Sequence, residues 1–254
     1  MAALGFLAPA AAPAGAFRCE VMNVQGDAIL SRGQEAPKKV AEGDLLEPGD
    51  SLETGANCRV DVAYDADWQN VTTVESNCTV KIKSVQPTSL ELAKGSVFAK
   101  LDQLPKDSSF EVQTPSGVAV VRGTEFWTRS GEEGLEVYNY SASPVEVFGM
   151  DAQGRRFGTP ALLRRNEKTG IFRRGLMPRR AQRMNAADLK RCRGFASGIQ
   201  DRVKELRAKG RVGKIQKIRD MERRPLKTRQ DLLDRGRGAK PSRPSKPQRN
   251  RRKP

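Results

Sequence analysis

The stretch FEVQTPSGVAVVRGTEF, residues 110–126, carries the pattern that decides the fold. Apolar residues alternate with other residues before Thr114-Pro115 and again after it, which is the spacing of strands with one buried face. Pro115 ends the first strand because it has no backbone donor, and Gly117 and Gly123 permit tight reversals of the chain. The stretch therefore predicts short strands joined by corners.

The same alternation recurs through residues 17–150 and predicts an all-β domain. Glycine and proline separate the runs, and no helical stripe longer than two turns interrupts them. The clearest runs are Val60 to Tyr64, Val80 to Ile82, Leu90 to Leu92 and Val97 to Ala99. We predict a mainly β fold, a β-roll or β-solenoid-like sandwich, followed by an amphipathic basic helix and a disordered polycationic tail.

A weak internal repeat supports a stacked arrangement of the strands. GANCRVDV at residues 55–62 resembles ESNCTVKI at residues 75–82, and GSVF at residues 95–98 is a looser third copy. Strand–turn units at such a spacing stack so that each unit buries the apolar face of its neighbour.

The two cysteines of the repeat share strand parity with apolar core residues, so both sulfurs are predicted to face the core. Stacking in register would make them neighbours, and we favour a Cys58–Cys78 disulfide over two buried free thiols. Cys19 and Cys192 then remain, either paired with each other or free. Four cysteines without a CxxC pair and without histidine do not suit a zinc site.

The composition excludes several function classes and divides the chain in two. The chain has 46 Lys and Arg against 30 Asp and Glu, a net charge of +16, and it has no histidine. Without histidine there is no Ser-His-Asp or Cys-His triad and no histidine general base.

Residues 1–150 hold 12 Lys and Arg against 21 Asp and Glu, a net charge of −9, and residues 151–254 hold 34 against 9, a net charge of +25. This asymmetry predicts an acidic folded module with an extension that meets a polyanion; a solvated extension without a specific partner is the alternative.

Residues 1–16, MAALGFLAPAAAPAGA, resemble an export signal peptide. They are apolar and uncharged, and Ala14-Gly15-Ala16 fits the small-x-small cleavage rule with Phe17 as the first mature residue. The alternative is a disordered Ala/Pro tail, since the stretch is short and no Lys or Arg precedes it. No apolar run approaches the roughly 18 residues of a membrane-spanning helix. We predict an exported protein of the periplasm or cell envelope, and a cytoplasmic protein if residues 1–16 are not a signal.

The basic extension begins with two segments of different character. Residues 151–184 carry dibasic pairs spaced among glycine and proline, and we predict a basic linker there. Asn185 is a good N-cap, and apolar residues spaced by three and four predict an amphipathic basic helical segment over residues 185–224, ended by Pro225. Its apolar stripe packs on the β-domain or a partner helix, or else its basic face lies on an anionic membrane surface. We favour packing.

Residues 225–254 are predicted to form a disordered basic tail. Residues 235–254 contain nine Lys and Arg and four Pro, with no aromatic residue to stack on bases. Such charge binds phosphates by counterion release, and lipid headgroups, acidic envelope polymers and nucleic acid would all serve. The predicted polyanion-binding residues are Arg235, Arg237, Lys240, Arg243, Lys246, Arg249, Arg251, Arg252 and Lys253.

Three motifs resemble those of the FecR domain family. Residues 110–126 resemble its F-x-V-x-T-P-x-G-x-A-x-V-R-G-T-x-F signature, residues 43–55 its G-D-x-L-x-P-G-D-x-(I/V/L)-x-T-G stretch, and residues 90–97 its L-x-L-x-x-G-S-V strand. The resemblance covers about residues 20–150. The family-motif residues, to which we assign structural roles, are Thr114, Pro115, Gly117, Arg122, Gly123, Thr124 and Phe126.

The resemblance implies a non-enzymatic envelope module. The best-known members of the family relay a receptor signal to a sigma-factor regulator, whereas this chain, with a basic tail after the domain, looks more like stand-alone exported proteins with one FecR domain. We predict a FecR-like binding, scaffold or signalling module whose partners are an envelope protein, an anionic polymer or lipid headgroups. The alternative is an intracellular nucleic-acid-associated protein that binds phosphates through residues 151–254. We predict no catalytic residue, cofactor or metal. A carboxylate pair such as Asp65 and Asp67 could in principle act as acid and base, but such a pair in a turn is ordinarily solvated.

Overall fold

The computed structural model describes residues 18–102, 104 and 108–210, and within these ranges it contains seventeen strands and one helix. Their bounds are β1 Cys19–Gln25, β2 Ala28–Ser31, β3 Lys38–Lys39, β4 Leu45–Leu46, β5 Ser51–Thr54, β6 Arg59–Ala63, β7 Asn70–Val74, β8 Thr79–Val85, β9 Thr88–Leu101, β10 Phe110–Gln113, β11 Gly117–Val121, β12 Glu125–Gly131, β13 Gly134–Asn139, β14 Val145–Met150, β15 Arg156–Leu163, β16 Glu167–Ile171, β17 Gln182–Arg183 and α1 Ala186–Ala208. The predicted mainly β fold is confirmed. The predicted signal peptide and basic tail lie outside the described residues.

The strands form two sheets. Sheet I has the strand order β4-β1-β6-β7-β9-β12-β13-β16-β17. Sheet II has the order β3-β2-β5-β8-β9-β10-β11-β14-β15. Neighbouring strands run antiparallel, except for the parallel pair β9 and β10. The chain passes from one sheet to the other after every one or two strands, so the apolar faces of both sheets meet in one core.

The long strand β9 belongs to both sheets. Its first half pairs with β8 and β10 in sheet II, and its second half, from Gly95 onward, pairs with β7 and β12 in sheet I. Gly95 has φ +101°, a left-handed conformation that glycine adopts without a steric penalty. A side chain at Gly95 would also collide with the Sγ of Cys78, so the bend in β9 requires glycine on two grounds.

The sequence repeat marks corners where the chain changes sheet. In each good copy an asparagine with positive φ precedes the cysteine, Asn57 at 54° and Asn77 at 57°. The corners are stacked, because the Asn77 N–H donates to the carbonyl oxygen of Gly55 at 3.1 Å. The looser third copy lies beside the second, with the Ser96 N–H donating to the Sγ of Cys78 at 3.0 Å.

The structure does not contain the predicted Cys58–Cys78 disulfide. Cys19, Cys58, Cys78 and Cys192 are all buried free thiols, so Cys19 and Cys192 are not paired either. Strand parity places Cys58 and Cys78 correctly in the core, but Cys58 precedes a strand of sheet I and Cys78 a strand of sheet II. The Sγ of Cys78 contacts the backbone of Ser96 in the bend of β9 instead.

Residues 151–184, predicted as a linker, contribute strands to both sheets. Strand β15 pairs with β14 in sheet II, and β16 pairs with β13 in sheet I. Alternation is weak in this segment because β15 lies at a sheet edge, where most of its side chains are exposed or half-buried. The β-domain therefore extends beyond residue 150.

Helix α1 lies within the segment predicted as helical, residues 185–224, of which residues 211–224 lie outside the described residues. Its start is a capping box: the Asn185 side chain accepts from the Asp188 N–H at 2.8 Å, and the Asp188 carboxylate accepts from the Asn185 N–H at 3.2 Å. Lys168 of β16 also pairs with Asp188 at 2.7 Å. The helix is thus positioned directly by the edge of sheet I.

Candidate functional site between sheet I and helix α1

Helix α1 covers the outer face of sheet I. It packs across β7, β9 and β12 with a buried stripe. The stripe consists of Cys192, Ala196, Ile199, Val203 and Leu206. The helix therefore buries side chains that strand alternation alone assigns to solvent. This result agrees with our preference for packing over a membrane-surface location of the stripe.

A buried charge pair holds the C-terminal half of α1 on the sheet. Asp61 of β6 is fully buried, and Arg202 donates to its two oxygens from Nε at 2.5 Å and from an Nη at 2.8 Å. Thr73 of β7 donates to the same carboxylate at 2.6 Å, and Asn23 of β1 donates at 3.1 Å. Four donors around one buried carboxylate satisfy it, which is the condition under which a buried charge is tolerated.

An aromatic cluster holds the N-terminal half of α1. Phe195 of the helix lies 5.2 Å from Phe98 and 5.6 Å from Trp127, measured between ring centroids. Trp127 in turn lies 4.7 Å from Tyr138 of β13. The guanidinium of Arg191 lies 5.1 Å from the Trp127 ring centroid, within cation–π distance. Burial raises the pKa of Tyr138 to about 12, with a smaller contribution from Glu136.

A groove of about 530 Å³ opens between the C-terminal half of α1 and the ends of β7 and β9. Most of its lining residues are polar or charged, and its four apolar residues are buried. The lining residues are Trp68, Gln69, Val71, Lys100, Asp102, Ile199, Gln200, Val203, Lys204 and Arg207. The groove is the candidate functional site of the described part of the chain.

The first family-motif residues form a rigid turn between β10 and β11. The buried Thr114 hydroxyl donates to the Gly117 carbonyl at 2.9 Å and accepts from the Gly117 N–H at 3.2 Å. The exposed Pro115 offers its carbonyl to the Nε of Arg174 at 2.9 Å. A Cβ at Gly117 would meet the backbone carbonyl oxygen of Phe148 at 2.6 Å, so only glycine fits there.

The remaining family-motif residues lie where the chain passes from β11 in sheet II to β12 in sheet I. Arg122 is exposed, and Gly123 has φ +130°. The Thr124 hydroxyl is buried and contacts Ser141 and the Ser143 carbonyl, the latter at 3.2 Å. Phe126 packs edge-on against Phe110 in the core. None of these residues lines the groove under α1, and their structural roles stay a prediction.

Other predicted features fall outside this site. The nine tail cations, Arg235 to Lys253, lie outside the described residues. Asp65 is a turn residue whose carboxylate accepts the backbone N–H groups of Asp67 and Gln69, both at 3.0 Å. Within the described ranges, no three His, Cys, Asp or Glu side chains are grouped so as to hold a metal ion.

Over the same ranges, no helix combines the length and the apolar character needed to cross a membrane.

The fold and the site define a two-sheet β-domain with a covering helix. Residues 50–141 match the family model described as FecR protein, in agreement with the family that the three motifs resemble. No curated protein matches the chain. Two crystal structures of a protein described as an anti-sigma factor, from Parabacteroides distasonis ATCC 8503, share 14% identity with it at a TM-score of 0.44. The similarity covers 55% of this chain and 62% of theirs.

Sequence reasoning missed the groove and the buried pair beneath α1. Asp61 stands between Val60 and Val62, and alternation assigns it to solvent. Arg202 flanks the apolar stripe of α1 next to Val203. A charged residue beside each apolar pattern is a weak signal, because it predicts a pair only when the two elements are known to meet.

Proposed function

We propose that the protein is a non-enzymatic binding, scaffold or signalling module of the cell envelope, whose C-terminal extension contacts polyanions. The FecR domain supports a regulatory role in the envelope. One observation supports the polyanion part: helix α1 has its apolar stripe against sheet I, and its basic side chains other than Arg202 are exposed. Exposed cations of α1 include Lys190, Arg193 and Lys204, and the strongly basic residues 211–254 follow directly.

This arrangement makes the proposed contact electrostatic. Because sheet I occupies the stripe, α1 has no free apolar face with which to enter a bilayer as an interfacial helix does. Attraction to phosphates then depends on the release of counterions, and affinity falls steeply as salt is added. Such binding depends on the number of positive charges in the tail and not on their order in the sequence.

The test uses the full chain and vesicles of phosphatidylglycerol and phosphatidylcholine. We expect co-sedimentation with the anionic vesicles at low salt and its loss at 0.5 M salt, roughly the range in which screening removes exposed charge contacts. Substituting the nine tail cations, Arg235 to Lys253, by Gln should weaken the binding strongly, because it removes nine of the 17 Lys and Arg in residues 211–254. A matched variant with residues 235–254 shuffled keeps the composition and should bind as the natural chain does. Loss of binding in the shuffled variant, or unchanged binding in the neutral one, would contradict the proposal.

The envelope location has a separate test. The N-terminal residue is determined for the protein recovered from fractionated native cells. A chain that begins near Phe17 in an envelope fraction is the result that we expect. An intact N-terminus in the cytosol would overturn the proposed location, and it would make nucleic acid the leading partner of the extension.

A further inference from the structure

We propose that the loop of residues 172–180, between β16 and β17, docks on the headgroup region of an anionic lipid bilayer. The inference rests on the proposed envelope function and names the kind of anionic surface that the protein meets. It concerns the described part of the chain and adds an apolar contact to the electrostatic contact of the extension. Either contact can fail while the other holds.

The loop exposes large apolar side chains. Its sequence is FRRGLMPRR, and Phe172, Leu176 and Met177 are all exposed. They are three of the six large apolar side chains that are exposed in the described part of the chain. A single apolar side chain at a protein surface is ordinary, whereas several within six residues of one loop indicate an interaction site.

Two pairs of arginines flank these apolar side chains. Arg173-Arg174 and Arg179-Arg180 are exposed, and the ion pairs among the described residues use none of the four. The loop itself has no carboxylate. Glu132-Glu133 lie in the neighbouring β12–β13 turn, where a Cβ at Gly134 would come within 2.8 Å of the Phe172 Cα. Four arginines against these two carboxylates leave the loop surface positive.

The domain holds the loop in a fixed position. The Gly175 N–H donates to the carbonyl oxygen of Met150 at 2.9 Å, and Arg174 donates to the turn between β10 and β11 at the same distance. A Cβ at Gly158 of β15 would collide with the Sδ of Met177, so this side chain lies directly over the edge strand. A loop that is already ordered loses less conformational entropy on docking.

The combination of apolar and cationic groups fits a bilayer interface. The Arg179 guanidinium lies 3.8 Å from the ring centroid of Phe172, within cation–π distance. Arginine binds phosphate oxygens in a bidentate manner, and apolar side chains beside it can enter the boundary between headgroups and acyl chains. A soluble polyanion such as nucleic acid offers the phosphates alone.

The charge of the chain favours a lipid surface over a protein partner. A protein with an acidic rim around an apolar patch would also suit the loop. Residues 151–254, however, have a net charge of +25, and a continuous anionic surface neutralises such an excess more fully than one protein patch. We therefore assign the loop to the bilayer, and the protein partner is an outcome of the test.

The apolar contribution to binding is limited. Full burial of one Leu or Met side chain changes affinity by roughly 10- to 100-fold, so a half-exposed side chain contributes roughly three- to tenfold. Each arginine near an anionic surface adds roughly fivefold at low salt. Insertion of Leu176 and Met177 alone is too weak to hold the protein on a bilayer, so 0.5 M salt should still release it.

The first measurement tests insertion with Leu176→Trp in the full chain. The vesicles contain equal parts of phosphatidylglycerol and phosphatidylcholine, at low salt. The natural Trp68 and Trp127 are buried, so the added indole dominates any change in emission. We expect its emission to move to shorter wavelength on binding and to be quenched by brominated lipid. The control is Ile29→Trp on β2, near the opposite edge of sheet II from β15, which should show neither effect.

The second measurement compares the affinities of two matched double variants. Leu176→Ser with Met177→Ser alters side chains that are 45% and 44% exposed, and partition into the same vesicles should weaken by roughly tenfold. Ile29→Ser with Leu45→Ser makes the same change at side chains that are 41% and 39% exposed. Partition of this control should stay within about twofold of that of the natural chain.

Two results would overturn the assignment of the loop to the bilayer. One is equal partition of the two double variants. The other is Leu176→Trp protein that sediments with the vesicles without a shift in emission, which would assign the loop to a protein partner. The neutral-tail variant separates this proposal from that of the extension, because unchanged binding in that variant contradicts only the role of the tail.

Discussion

At the scale of single residues, two buried carboxylates are each held by one arginine. Asp61 belongs to the helix contact, and Asp50 belongs to the turn before β5. Arg32 donates to the two oxygens of Asp50 at 2.8 and 2.7 Å, and the Glu47 N–H donates at 2.8 Å. Burial would raise the pKa of Asp50, but these hydrogen bonds and the positive charge of Arg32 bring it below its ordinary value.

Removal of this arginine should lower stability at neutral pH. Arg32→Ala leaves a buried carboxylate without its cation, and we expect a loss of about 2 kcal/mol in the free energy of unfolding, since water reaches the half-buried guanidinium and screens the pair. The lowered pKa means that the stabilisation is present above roughly pH 4 and is lost as the pH falls further. The natural chain should therefore lose more stability between pH 7 and pH 3 than Arg32→Ala does.

Urea denaturation at both pH values makes the measurement. Lys39→Ala is the control, because the Lys39–Asp27 pair is exposed and its loss should matter less than that of Arg32. An equal loss of stability in the two variants at pH 7, or an identical acid dependence of Arg32→Ala and the natural chain, would contradict this account of Asp50.

The cysteine thiols provide a second prediction at this scale. Burial raises the pKa of Cys192 to about 12 and also raises the pKa values of Cys58 and Cys78. The thiolate is the reactive form, so the native protein should react slowly with a disulfide reagent such as DTNB at pH 8. Unfolding without a reductant should then expose four thiols. A count of two would instead reveal a disulfide in the isolated protein.

At the scale of elements, helix α1 is attached by two different contacts. Its first half rests on aromatic rings and its second half on the Asp61–Arg202 pair. The aromatic contact is non-directional and tolerates small shifts, whereas the two-point contact of Arg202 with Asp61 fixes both the rotation and the position of the helix. The width of the groove therefore depends on the charge pair more than on the rings.

Breaking the pair on its helix side should release the second half of α1. Arg202→Met keeps the apolar stem but leaves Asp61 buried and unpaired, and we expect a loss of about 3–5 kcal/mol. The double variant Arg202→Met with Asp61→Leu should recover much of this loss, because it removes the buried charge as well. Urea denaturation followed by far-ultraviolet circular dichroism measures both effects.

Arg207→Met is the control on the same helix. The Arg207 side chain is exposed and donates only to a backbone carbonyl, so its loss should cost less than about 1 kcal/mol. If Arg202→Met costs no more than Arg207→Met, the charge pair is not what holds α1.

At the scale of the whole molecule, the mainly β fold was predictable and the covering helix contact was not. Alternation identifies β6, β8 and β11 because each has one side in the common core, and the asparagine–cysteine repeat marks the stacked corners. Local pattern also finds the start of α1 at Asn185. These features depend on residues close together in the sequence.

The site depends on residues far apart in the sequence. Asp61 and Arg202 are separated by 141 positions, and nothing local to either one indicates the other. The disulfide prediction failed for a related reason, since parity along a strand does not tell which sheet the strand joins. Strand β15 was missed because an edge strand buries too few side chains to produce alternation. Composition identified the charge asymmetry but not which face of α1 meets solvent.

The shared strand β9 has a consequence for how the molecule comes apart. In many two-layer β proteins the layers are joined only by loops, and one layer can loosen while the other keeps its backbone hydrogen bonds. Here one strand of fourteen residues runs through both layers: its first half is hydrogen-bonded to β8 and β10 in one, and its second half to β7 and β12 in the other. When strands of either layer separate, β9 loses hydrogen-bond partners, although the other layer also depends on β9 for its pairing. The two layers therefore behave as a single cooperative unit and melt together.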